Sequence, residues 1–545
     1  MSLSRPWLAL VLALFCLPLF VGLGDSDLDD DEASYSFAVD RILEVGEWLT
    51  PHSGPHDGRP FLEIPPLKFW IVAAPIRLGL LPHNEFGLRF WDALFGGAMF
   101  LYVFALGSRL AGPVCGATAV LVLFGHWPLL VDHGLRSNGM DAALALSYCG
   151  GIWHFFAWAS SAESVPRRRH AVLVGLYFIL GFLTAFAAAL FLPLIVGMAG
   201  LLVPEYRRQL VRDWRLWCGV CALVLALSVP WFVYASVKFG SFFWRLILAD
   251  SVYTGFFGYL NPSHVHPWYY YLETLYRRLA DADAGPLVFG GLAVLIVQTI
   301  RRRSAEGVAL LLWVTVPLAV ISASTSKGYH HIYPFLPPLA LGAGYLAGLV
   351  FMLAPAPVDR ALDAVQRAAA SFAPKAVAAL ALAGANRRAG PVVALVLVVG
   401  LLPLSGYYQA LARLEHGKRP LGNARDCVLH VQGQAGADGG LQVEVPDGVF
   451  SHSVNYYFRS IRPWQRADTS VPASLDASLN DPSQHRPILI WDLRYQEYRR
   501  RQAVSAPAWA QRVVSPMLTF ADILLLLPGP YAACSADAAG SGEPH

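Results

Sequence analysis

The chain has 545 residues, of which 55% are hydrophobic and only 14% charged. Soluble globular chains carry about 25% charged residues, so several soluble domains of this length would lack polar surface. The same figures exclude disorder, collagen and a secreted disulfide scaffold, and a formal net charge of +3 does not mark a nucleic-acid binder.

The first apolar run, Trp7 to Leu23, follows Arg5. Gly22 and Gly24 near its end would suit a cleaved signal peptide; an uncleaved first helix is expected, because many more runs follow. A spanning helix needs about 20 mostly apolar residues. Further runs lie near 87–108, 113–131, 139–160, 170–184, 187–203, 216–237, 285–300, 306–322, 331–353 and 391–410. The expected fold is a polytopic α-helical membrane protein of about 11 spans (11–13 as the range), with a small C-terminal soluble α/β domain. The runs on either side of Thr184 read as two spans or as one bent helix. Residues 1–411 would form the membrane domain and 412–545 the soluble one.

Pro65 to Leu81 is apolar but proline-rich and broken by Lys68 and Arg77, which predicts an interfacial or re-entrant piece. Residues 354–390, alanine-rich with spaced Arg and Lys, predict an amphipathic helix on the inner face. In the tail, Leu441–Val445, Pro487–Trp491 and Ile523–Leu527 read as strands among Gly, Pro and Asp turns. Leu518–Leu527 is too short to span and reads as one buried strand. Gly344-Tyr-Leu-Ala-Gly348 is a helix-packing pattern.

Charge sets the orientation. Arg109, Arg167–Arg169, Arg207 to Arg215 and Arg301–Arg303 fall on alternate loops, and Arg360 to Arg388 on the last of that set. Lys/Arg excess marks the cytoplasmic side. The acidic loop Asp25–Glu32, within a long first loop 25–86, and the tail are then outside. Cys16, Cys115, Cys149, Cys218 and Cys221 lie in apolar runs. There the Cys218-Gly-Val-Cys221 spacing reads as two small helix residues. Cys427 and Cys534, in the polar tail, could pair in an oxidising compartment.

Four polar clusters sit at the outer ends of the runs: Asp31-Glu32-Ala-Ser-Tyr35 with Glu63 and Lys68; Arg136 to Asp141; His264 to Tyr271; and Ser326-Lys327-Gly-Tyr329 to Pro334. Each has a plain structural reading. Asp141 would cap its helix, Trp268–Tyr271 would belong to the aromatic belt, and Lys327 would snorkel to the interface. Together they place carboxylates, a lysine, an arginine and a histidine on one side, as an anionic lipid-linked substrate requires.

In order, Asp31-Glu32-x-x-Tyr35, Gly46-x-Trp48, Glu63-x-Pro65-Pro66-Leu67, Arg136-x4-Asp141, His264-x-x-Pro267-Trp268-Tyr269-Tyr270-Tyr271 and Lys327 with Tyr333-Pro334-x-x-Pro337-Pro338-Leu339-Ala340 resemble the C-type integral membrane glycosyltransferases. The branch is that of the lipid A aminoarabinose transferase and the dolichyl-phosphate-mannose protein mannosyltransferases, and the likeness covers about residues 25–345. It implies transfer of one sugar, with inversion, from a polyprenyl-phosphate donor to a lipid A, envelope-glycan or protein acceptor. The site would face the periplasm of a bacterial inner membrane. The resemblance puts the catalytic aspartate on Asp31 and a second carboxylate on Asp141. Glu63 and His264 become substrate contacts and a candidate divalent-metal pair, and Lys327 the late lysine. No cofactor is required, and Glu32, Tyr35 and Tyr329 lie beside these positions. The chain departs from the family at Ile64, where a lysine is expected and for which Lys68 would substitute. It departs again at Leu183-Thr184-Ala185-Phe186-Ala187, where the family has Leu-Thr-Lys-Gly-Pro.

The chemistry agrees with these residue types. A glycosyl phosphate has a good leaving group, so cations such as Lys327, Arg136 and Lys68 matter more than a strong acid. One carboxylate base serves a hydroxyl acceptor. The competing readings are a transporter or flippase of a lipid-linked sugar, with mid-membrane charges and inverted repeats, and an inactive scaffold.

Overall fold

The computed structural model describes residues 5–54, 60–258, 262–353, 404–415, 418–434, 443, 452–458, 487–503, 517–520, 523–527, 531 and 534. Among them, six apolar segments are long enough to cross a membrane: Glu85–Ala111, Ser164–Leu202, Trp214–Phe239, Gly285–Arg302, Ala305–Ala323 and Tyr329–Phe351. Pro6–Phe20 and Pro113–Gly125 are shorter apolar helices. The chain is a polytopic helical membrane protein. The expected run at 139–160 is the helix Asp141–Ser160, which carries the polar Ser147, Tyr148 and His154. Of the run at 391–410, the helix Leu404–Glu415 is described from residue 404; residues 354–390 lie outside the described residues. Leu67–Arg77 is an 11-residue helix, about 16 Å long and too short to span.

The chain forms two compact units. The first comprises Met1–Val21, Leu62–Lys68 and Arg89–Glu415. Its helices meet through small residues. A Cβ at Gly344 would lie 2.1 Å from the Cys115 carbonyl oxygen, and one at Gly348 3.0 Å from that of Ala111. The GxxxG pattern therefore packs the Leu336–Leu353 helix against the start of Pro113–Gly125, as expected.

The segment around Thr184 is two helices joined by a tight turn, rather than a single bent helix. Helix Ser164–Ala185 stops at Phe186, whose φ of 42° is left-handed. A 3-10 turn, Phe186–Leu190, leads into helix Phe191–Leu202. The Thr184 hydroxyl donates back to the Leu180 carbonyl at 2.6 Å, a bond that loosens a helix end. The chain then comes back. Arg167 donates to Gln209 Oε1 at 3.2 Å and pairs with Asp213, so residues before and after the segment meet. Burial alone would raise the Asp213 carboxyl, but hydrogen bonds from Arg167 and Arg212 bring it below its ordinary value.

The second unit comprises Gly22–Phe61, Phe69–Leu88 and His416–His545. The tail thus shares a unit with most of residues 25–86. Helix Asp30–Val45 opens with a capping box. Asp29 Oδ1 accepts from Glu32 N at 2.8 Å, and Glu32 Oε2 accepts from Asp29 N at 3.1 Å. Asp30 Oδ1 accepts from Ser453 N and Oγ at 2.9 and 2.8 Å. Tyr457 accepts from Leu28 N at 3.0 Å and donates to Glu85 at 2.9 Å. Glu85 also pairs with Arg419 at 2.9 Å. Burial raises the Asp27 carboxyl, although the Leu421 and Gly422 amides that donate to it lower it.

The tail contains a three-stranded antiparallel sheet of β1 (Ile488–Trp491), β2 (Met517–Phe520) and β3 (Ile523–Leu526), in the order β1-β3-β2. Leu518–Leu527, expected as one strand, is a hairpin with Phe520 opposite Ile523. Of Leu441–Val445, only residue 443 is described, outside any strand. Cys427 and Cys534, 107 residues apart, form a disulfide. Closing a loop of that size stabilises a folded unit by about 2–4 kcal/mol. Reductant, or Cys427→Ser with Cys534→Ser, is expected to lower the unfolding free energy of the tail by that amount, read as a fall in its Tm; an unchanged melting curve would mean that the crosslink carries no stability.

Candidate active site

Two of the polar clusters, His264–Tyr271 and Ser326–Pro334, come together in the first unit with residues 126–133. Val265 and Ser326 form an antiparallel bridge, and Lys327 N donates to the His264 carbonyl at 2.8 Å. The rings of His133 and His330 lie 4.7 Å apart. Tyr333 donates to the carbonyls of Pro128 and Asp132 at 3.0 and 2.8 Å. Tyr271 and His331 share a hydrogen bond of 3.2 Å, and His266 stacks on Tyr270 at 3.9 Å. Loops far apart in sequence, at 126–133, 262–271 and 324–334, thus meet.

Lys327 is only 2% exposed, so it does not snorkel. Its ammonium donates to the His266 carbonyl at 2.9 Å and to the Ser324 carbonyl. Among the described residues, no carboxylate lies within ion-pair distance of it. Burial holds it below the ordinary lysine value. A buried cation met by carbonyl oxygens alone is costly and attracts an anion.

Lys68 differs. It is 1% exposed, and its ammonium lies 2.7 Å from Asp92 Oδ2, itself 0% exposed, and 3.1 Å from Asn138 Oδ1. The structure gives it a protein counter-ion in place of the phosphate for which the sequence suggested it. Arg136 is buried too, donating to the carbonyls of Leu19, at 3.0 Å, and Val21. Asp141 opens its helix, but Met140 occupies the cap position with no side-chain bond. Asp141 is therefore not the cap; it lies half-buried in the first turn, at the positive end of the helix dipole.

Glu63 follows Leu62, which is buried in a cluster with Trp231, Phe243, Leu246 and Ile247; Phe186 and Phe232 pack on it. His264 is exposed, at the end of a short 3-10 turn. Among the described residues, no three His, Cys, Asp or Glu side chains converge as metal ligands. Glu63 and His264 thus have no third protein ligand among the described residues. Asp31, Glu32 and Tyr35 belong to the second unit. Asp31 is exposed in the first turn of its helix, Glu32 is held in the capping box, and Tyr35 lies beside Phe61 and Phe69 at 6.0 and 6.3 Å.

Asp92 escaped the sequence reading, although an acid inside an apolar span is itself a signal. Asn138 lay unnoticed inside the Arg136–Asp141 cluster. Nothing in the sequence pointed to His133.

Residues 63–234 match the family model of dolichyl-phosphate-mannose-protein mannosyltransferases. The chain resembles this group of transferases, as its motifs indicated. It is 29% identical over 342 residues to an undecaprenyl phosphate-alpha-4-amino-4-deoxy-L-arabinose arabinosyl transferase of Pseudomonas savastanoi pv. phaseolicola, covering 61% of this chain and 60% of that one. A transferase of the same name from Pseudomonas aeruginosa strain UCBPP-PA14 is 27% identical over 350 residues, covering 63% and 60%. The chain thus spans about 60% of the length of these relatives. In fold it is similar to ArnT from Cupriavidus metallidurans bound to undecaprenyl phosphate, with a TM-score of 0.62 at 16% identity over 97% of this chain and 99% of that one. The Archaeoglobus fulgidus oligosaccharyltransferase aligns with a TM-score of 0.55 at 13% identity, over 83% and 64%.

Proposed function

We propose that the chain is a glycosyltransferase moving one sugar, with inversion, from a polyprenyl-phosphate donor to an acceptor outside the bacterial inner membrane. The acceptor class is lipid A, another envelope glycan or a protein. The observation that carries this reading is Lys327, a buried ammonium with carbonyl partners and no carboxylate among the described residues. The names of the relatives, which specify an undecaprenyl phosphate sugar, support it. The alternation of Arg clusters supports about eleven spans and a tail on the outer side.

In the reaction, an acceptor oxygen attacks the anomeric carbon of the sugar and the bond to the phosphate oxygen breaks. Polyprenyl phosphate leaves with the electron pair. The Lys327 ammonium meets the charge that develops on it. Asp31 accepts the proton when the acceptor is a hydroxyl; a phosphate acceptor needs no base, and the carboxylate then positions groups. Asp141 lies half-buried at a helix start for a second positioning role, and Glu63 and His264 are substrate contacts. Lys68 supports the site through Asp92 and Asn138.

Detergent-purified protein incubated with labelled polyprenyl-phosphate sugar and envelope glycolipids tests the reading. Lys327→Met keeps the apolar stem and removes the charge. It is expected to lower kcat/KM by about two orders of magnitude, or 2–3 kcal/mol of transition-state stabilisation. A change under threefold, in protein with an unchanged Tm, would leave Lys327 as a tie between the two loops.

A further inference from the structure

Beside the Lys327 centre, against the same 126–133 and 324–334 loops, two more cations lie without acidic partners among the described residues. Trp127 follows the apolar helix Pro113–Gly125. The guanidinium carbon of Arg413 lies 4.2 Å from its ring centroid and that of Arg278 5.0 Å. Arg278 also faces the Tyr329 ring at 5.9 Å. The three elements are fastened together. On helix Leu404–Glu415, Ser405 Oγ donates to Asp283 Oδ2 at 2.9 Å and Gln409 Nε2 to the Asp281 carbonyl at 3.2 Å. A Cβ at Gly125 would lie 3.3 Å from the Gly406 backbone. The Tyr329 hydroxyl bonds His126 Nε2 at 2.8 Å. His126 Nδ1, buried beside it, has no hydrogen-bond partner among the described residues.

Two guanidinium groups on one indole repel each other, and the ring's negative face offsets this only in part. An oxyanion between them removes the repulsion. Guanidinium forks match phosphate oxygens in pairs, and a phosphate ester has oxygens enough for both. Trp127 and Tyr329 stand at the ends of apolar helices, where an amphipathic ring marks the edge of a bilayer. We propose that Arg278, Arg413 and Trp127 form a second anion site, which takes a phosphate ester presented from the bilayer. It is second to the Lys327 centre, and in that respect alone it rests on the reading above. The ester is either a phospholipid headgroup or the phosphate of a glycolipid acceptor.

Dodecyl phosphate, titrated into the full-length protein in neutral detergent, is the probe. Two equivalents are expected to bind. Polyprenyl phosphate displaces one, and Lys327→Met loses that same one. Arg278→Gln with Arg413→Gln weakens the other at least tenfold and leaves the first intact, and the corresponding double Arg→Lys variant weakens it at least threefold, because charge remains without the fork. Any equivalent bound by the wild type and retained at full strength in both Lys327→Met and the double Gln variant, or no equivalent weakened by the double Gln variant, overturns the proposal. If the double variant does not fold, Arg413→Gln alone, at an exposed position, must weaken the same equivalent at least threefold or the proposal fails. Competition by phosphatidylglycerol identifies the bilayer headgroup. Competition only by a phosphorylated glucosamine lipid identifies the acceptor, and competition by neither overturns a bilayer-presented ester. Failure of the donor reading looks different: Lys327→Met would then keep its polyprenyl phosphate.

Discussion

Asp31→Asn is expected to lower transfer to a hydroxyl acceptor by about 10²–10⁴-fold, the span of general-base catalysis. The exchange is nearly isosteric and removes charge and basicity together. The local structure makes it a clean test. The Asp30–Val45 helix is capped by Asp29 and Glu32, and the Asp31 carboxylate is exposed in its first turn. Glu32→Gln is the matched control. A glutamine at that position still accepts from the Asp29 amide, so both stability and turnover should stay close to wild type. Near-normal turnover in Asp31→Asn would remove Asp31 as the base, and Asp141 would be examined next. Loss of turnover in Glu32→Gln as well, with an unchanged Tm, would shift the chemistry from one carboxylate to the pair.

Lys68→Met is expected to cost about 3–5 kcal/mol of stability, because it removes the ammonium from beside the Asp92 carboxylate in a place that water does not reach. The two side chains are 1% and 0% exposed. Asn138, also bonded to the ammonium, loses that bond at the same time. Adding Asp92→Leu should restore most of the loss, since a buried ion pair replaced whole by apolar groups is close to neutral. Thermal unfolding in detergent, with single and double variants side by side, measures this. A Lys68→Met protein that melts like wild type but binds donor poorly would assign the ammonium to the donor phosphate after all.

Much of the fold was legible in the sequence because a bilayer imposes long apolar runs. The helices at 285–302 and 305–323 coincide with runs read from composition alone. The run at 139–160 was equally legible, although its helix mixes polar side chains into the interior. Less legible was whatever depends on partners distant in the chain. The Lys68 and Asp92 pair joins residues 24 apart, and neither announces the other. For Lys327 the interfacial alternative stayed open beside phosphate binding, because sequence shows where a charge sits along a helix, and not the carbonyls that Ser324 and His266 turn toward it. In the tail, two four-residue strands with no apparent break between them read as one, because a tight hairpin needs few residues to turn.

The left-handed residue at position 186 also bears on length. From Ser164 to Leu202 the apolar segment has 39 residues, about 58 Å if drawn out as one straight helix, against about 30 Å of hydrocarbon core. Reversal is therefore compulsory, and here a phenylalanine makes it where the resembling family places a glycine. A non-glycine in that conformation costs about 1–3 kcal/mol. The rings of Phe182 and Phe232, at 5.3 and 5.6 Å from Phe186, return about 0.5–1.5 kcal/mol each, so the two sides nearly balance. The side chain that holds the turn open is the same one that leans on the cluster around Leu62. Glycine would leave such a corner free to flex by itself; phenylalanine ties its geometry to the footing of Glu63, so that neither can be redesigned without the other.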